Sequence, residues 1–70
     1  MRAVTVRVTT YPESMQELIT MAKELGRAAP VVNYSNVFLV ECTDSRKLGQ
    51  LTNKLNSRVD LGIVIEYTVH

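Results

Sequence analysis

The chain has no tryptophan, a single cysteine, two prolines and three glycines in 70 residues, and its only aromatics are three tyrosines and one phenylalanine. Each scarcity removes a class of function. One cysteine cannot close an intrachain disulfide or form the paired-cysteine grip of a heavy-metal carrier. One histidine, His70, gives no histidine cluster for a metal or a catalytic relay. So few aromatics leave no stacking platform for single-stranded nucleic acid. A net charge of +1 supplies no electrostatic footprint for nucleic acid or an anionic membrane. There is no apolar run of about 18 residues and no signal-peptide core, so neither membrane insertion nor export is expected. No phosphate-binding glycine loop is present, and no cofactor or metal is expected.

What is present is ordinary globular material, 46% hydrophobic and 21% charged. The length implies one domain, residues 1–70. A domain this small buries only about 60% of the surface its unfolded chain exposes, so a partner subunit would help stabilise it. Cys42 reads as a small buried hydrophobe in a reducing compartment, and the expected location is cytoplasmic.

The order of elements is the strongest signal. Ala3 to Thr9 alternate, with Val4, Val6 and Val8 on one side, which predicts a half-buried strand. Thr10-Tyr11-Pro12-Glu13 has capping-box spacing, and Met15, Leu18, Ala22 and Leu25 recur at helical steps up to a stop at Gly26. Pro30 to Val32 and Val37 to Cys42 predict a hairpin around the turn Asn33-Tyr34-Ser35-Asn36. Thr43 or Asp44 caps a second helix with the stripe Leu48, Leu51, Leu55. Gly49 within it predicts a close-packing point, and Asn56-Ser57 loosens the chain before it ends. A last strand is predicted within Leu61 to Val69. Strand, helix, strand, strand, helix, strand is the ferredoxin-like βαββαβ plait. This is an α+β fold whose four-stranded antiparallel sheet has the order 4-1-3-2, with both helices on one face.

Alternation then assigns the faces. Val4, Val6, Val8, Phe38, Val40, Cys42, Ile63, Ile65 and Tyr67 are expected under the helices. The open face receives Thr5, Arg7, Thr9, Val37, Leu39, Glu41, Val64, Glu66 and Thr68. A solvated sheet face is mostly polar, whereas this one places Val37, Leu39 and Val64 near its middle. Arg7 between Glu41 and Glu66 makes a cross-strand charge set. The candidate interface is therefore Arg7, Val37, Leu39, Glu41, Val64 and Glu66. Tyr34 at the hairpin and Tyr67 and His70 near the end are candidate contacts to a ligand or protein partner. Arg46, Lys47, Lys54 and Arg58 give the second helix a basic, solvated edge.

Two resemblances follow from Val32-Asn33-Tyr34-Ser35, Val37-Phe38-Leu39-Val40-Glu41, the leucine stripe and Ile63-Val64-Ile65. The pattern resembles the effector-binding (RAM) domains of leucine-responsive and asparagine-type regulators, which also occur as stand-alone proteins. That resemblance implies dimerisation through sheet faces, further assembly and amino-acid binding between subunits. Tyr34 is flanked here by Asn33 and Ser35, where the family's ligand loop carries Gly and Asp. The pattern is also similar to the subtilisin propeptide family, which implies a bare sheet docked on a protease and a C-terminal tail, here Ile65 to His70, in its cleft. The initial methionine suggests a free-standing small protein. The expected function is a non-catalytic binding or regulatory module that forms a homo-oligomer through its bare sheet. The alternatives are a propeptide-like inhibitor or chaperone, and a small dimeric plait-barrel enzyme using His70 with Glu66 or Tyr67.

Overall fold

The computed structural model covers residues 1–70 and has the expected architecture. Strand β1 (Val4–Thr10) leads through a 3₁₀ turn at Pro12–Ser14 into α1 (Met15–Lys23). Strands β2 (Arg27–Pro30) and β3 (Val37–Cys42) form the hairpin, followed by α2 (Ser45–Asp60) and β4 (Val64–Val69). The antiparallel sheet has the order β2-β3-β1-β4, the predicted order read from the other edge. Helix α1 packs on β2 and β3, and α2 on β4 and β3. The core between helices and sheet holds Val6, Val8, Phe38 and Val40 from the strands, and Leu18, Ala22, Leu51 and Leu55 from the helices.

Asp44 caps α2 as expected, its Oδ1 accepting from the amides of Arg46 at 2.8 Å and Lys47 at 3.2 Å. Other expectations are corrected. Thr10 is no helix cap: it ends β1, is buried, and donates its hydroxyl to the Ile63 carbonyl at 2.6 Å. Helix α1 starts from Ser14 without a side-chain cap. Gly26 is not a left-handed helix stop, since only Gly62 among the glycines has positive φ, at 75°. Gly26 instead leads directly into β2, which therefore lies at Arg27–Pro30 and not at Pro30 to Val32. Gly49 is no close-packing point, since a Cβ added there would meet nothing within 4 Å beyond its own helix. Asn56 and Ser57 lie inside α2, which runs on to Asp60 and ends at Gly62.

The largest correction concerns β4. Its register with β1 shifts between Thr9, opposite Glu66, and Thr10, opposite Val64. Ile65 is the extra residue of a β-bulge, and a bulge breaks simple alternation. Val64, expected on the open face, is buried in the core with 2% of its surface exposed. Ile63 and Ile65, expected inside, are exposed, while Tyr67 is half-buried against the core as expected.

Candidate functional site

The sheet face opposite the helices is open, and pairing defines its rows. Ala29, Leu39, Arg7 and Thr68 form one row across the four strands, and Arg27, Glu41 and Thr5 another. Val37, Thr9 and Glu66 form a third, extended past β2 by Val31, whose amide donates to Val37 O at 3.2 Å. Arg7 thus lies directly between Leu39 and Thr68, and both glutamates sit diagonally from it, two positions along the neighbouring strands. The expectation of Arg7 standing between the two glutamates is thus corrected: its direct neighbours are Leu39 and Thr68.

Beside the hairpin the face hollows into a groove of about 310 Å³ lined by Arg7, Val31, Tyr34, Val37 and Leu39. Its shape comes from the β2–β3 connection. Asn33 takes φ 72°, a left-handed conformation that asparagine tolerates, and the Tyr34 amide donates to Val31 O at 3.1 Å. This turn lifts Tyr34 to the rim, where it is 61% exposed. Four predicted site residues, Arg7, Val37, Leu39 and Tyr34, therefore converge, and Val31 completes the groove. Glu41 and Glu66 share the face without lining the groove. Val64 leaves the site for the core.

The remaining candidates are engaged elsewhere. Tyr67 pairs with Val8 on the helix side of the sheet, and its hydroxyl donates to Asn56 Oδ1 at 2.6 Å. His70 pairs through its backbone with Thr5, and its Nε2 lies 2.9 Å from Thr68 Oγ1. Residues Tyr67 to Val69 thus belong to β4, and His70 is held beside them by Thr5. Glu66 and His70 share a face, but four residues along a strand separate them by about 13 Å. Tyr67 faces the other way, so these three side chains do not assemble an acid–base pair.

A second hollow, about 650 Å³, lies where the end of α1 and the start of β2 meet the end of β3 and the start of α2. Lys23, Arg27 and Lys47 line it together with Glu24, Glu41 and Asp44, so its charges balance. The Asp44 carboxylate already occupies the free amides of α2, and the Lys47 and Arg46 hydrogen bonds hold its pKa below the usual value. Cys42 is buried, and burial pushes its thiol pKa up, the reverse of an activated nucleophile. No group of three or more His, Cys, Asp or Glu residues is placed to hold a metal ion. No helix is long and apolar enough to cross a membrane.

Comparison with protein-family models, curated proteins and solved structures found no match to this chain.

Proposed function

We propose that this domain acts by binding, as a small regulatory module, and that its open sheet face is the surface that meets a second copy of the chain. The observation that carries the reading is the groove, in which one cation, Arg7, stands among Val31, Tyr34, Val37 and Leu39. Such a groove suits an apolar group that carries a carboxylate. The face supplies both parts itself, since Leu39 and Val37 lie on it with Glu41 and Glu66. Two copies stacked face to face can set Arg7 of each against a glutamate of the other while burying Val31, Val37 and Leu39. Charge complementarity then fixes the orientation, and apolar burial supplies most of the affinity.

Sedimentation equilibrium over a wide concentration range tests this. The unmodified chain is expected to associate, and Leu39→Glu, which puts a third carboxylate in the middle of the face, to halve its mass. A single-chain mass at every concentration, or an assembly indifferent to Leu39→Glu, removes the reading.

A further inference from the structure

The two edges of the sheet are unlike. Antiparallel pairing alternates between residues that exchange hydrogen bonds with their neighbour and residues whose N–H and C=O point away from it. At the β2 edge, Val31 bonds to Val37 across the hairpin. Counting back by pairs makes Ala28 and Pro30 the outward-pointing residues. Proline has no N–H, so this edge lacks a donor where a further strand would need one, and Arg27 adds a charge beside it. The edge is four residues long and closed.

The β4 edge has no proline, and its one charged residue, Glu66, pairs with Thr9 on the open face. Thr5 and His70 exchange both backbone hydrogen bonds, at 3.3 and 2.8 Å. The same alternation puts the N–H and C=O of Tyr67 and Val69 on the outside of the sheet. Strand β4 contains no lysine, arginine or proline. Its surroundings are apolar as well: of the ten large hydrophobic residues that are exposed, five are Val59, Leu61, Ile63, Ile65 and Val69. Ile65 and Val69 are 47% and 48% exposed. Ile65 and Val69 belong to the strand itself, and Val59, Leu61 and Ile63 to the segment that leads into it, so half of the exposed apolar side chains lie on or just before β4.

We infer that β4 is an annealing edge, to which a second copy of this chain adds its own β4 antiparallel, so that two plaits share one eight-stranded sheet. The strand is complementary to itself in a register that uses the outward groups of Tyr67 and Val69. With Thr68 opposite Thr68 of the second copy, Tyr67 falls opposite Val69 and Val69 opposite Tyr67. Those two pairs satisfy the outward N–H and C=O groups of both residues in both chains. On the helix side the register makes two aromatic–β-branched pairs, a favourable cross-strand combination. On the open side it sets Glu66 opposite His70, so the carboxylate meets an imidazole and not its own copy. The bulge at Ile65 lies outside the paired stretch, so its irregular backbone does not interrupt it. A peptide from an unrelated protein lacks this enforced reciprocity, and a second copy has it by symmetry.

This contact is separate from the face-to-face one, and the test reads it alone. In the Leu39→Glu background the chain is expected to sediment as two copies, and adding Val69→Pro should reduce it to one. Proline at 69 removes a donor that points away from β1, so it breaks no hydrogen bond within the chain. Val69→Lys is the companion variant should the proline disturb the fold, and circular dichroism checks both. Amide hydrogen exchange on the unmodified chain gives an independent readout. Exchange at Tyr67 and Val69 should slow at least tenfold as concentration rises through the association range. Unchanged exchange at both amides, or a mass indifferent to both substitutions, overturns the inference.

Discussion

A methyl group added at Gly26 would sit 2.6 Å from the Glu41 carbonyl oxygen, 3.0 Å from Val40 Cγ1 and 3.1 Å from Cys42 Sγ. The nearest of these is backbone of the interior strand β3 and cannot turn aside. Gly26→Ala is therefore expected to destabilise the fold by about 1–3 kcal/mol, the usual range for forcing atoms into a packed region. Gly49 is the reverse case, exposed within α2 with nothing inside 4 Å of the added carbon. There the helix gains what glycine lacks, and Gly49→Ala should stabilise by about 1 kcal/mol. Urea denaturation of the two variants reads both numbers, and equal signs would refute the placement of one glycine. From sequence the two residues invite the opposite assignment: Gly26 as a helix stop, Gly49 as a packing point. What separates them is the path of β3 over the end of α1, a long-range contact that no local pattern announces.

At the scale of elements, α2 shows how a local signal becomes a pH dependence. The Lys47 and Arg46 amides bond the Asp44 carboxylate and lower its pKa in the folded chain. A lowered folded pKa contributes stability that is present above the unfolded value, about 3.9, and is lost as pH falls through the folded value. Asp44→Asn keeps the accepting oxygen but not the titration. The stability difference between the native chain and this variant should be constant from about pH 5 to 7 and shrink below about pH 4. Urea midpoints across that series measure it; a difference that stays flat into acid would show that the charge contributes nothing. The cap, β3, the leucine stripe and the strand order were all legible, because each rests on a short-range pattern or a general topological rule. Strand β2 was not legible, since Arg27-Ala28-Ala29-Pro30 has too little apolar contrast to reveal a period. Strand β4 misled for a different reason. Its sequence alternates through Ile63, Ile65, Tyr67 and Val69, but the Thr10 hydroxyl holds the Ile63 carbonyl and the bulge then swaps Val64 into the core. Of the open-face candidates this removed only Val64, because β1 and β3 carry no such break.

For the whole molecule, the two proposed contacts lie on different surfaces and obey different axes. Strand annealing at β4 has its two-fold axis normal to the sheet. Face-to-face stacking through Leu39 and Arg7 has an axis in the plane of the sheet. Perpendicular two-folds that intersect close the assembly at four copies, whereas non-intersecting axes continue into a filament. Closure also meets a need of the single chain, whose core is small and which leaves ten large hydrophobic residues exposed. The expectation is a discrete four-chain mass, two for either Leu39→Glu or Val69→Pro, and one for the double variant. Stability should follow assembly, because subunits that associate only when folded draw the folding equilibrium with them. For a two-chain variant each tenfold rise in concentration adds about 1.4 kcal/mol per dimer to the free energy of unfolding. The thermal midpoint of either single variant should therefore climb with concentration, and that of the double variant should stay fixed. A midpoint independent of concentration in all three chains would mean that neither surface joins copies of this protein.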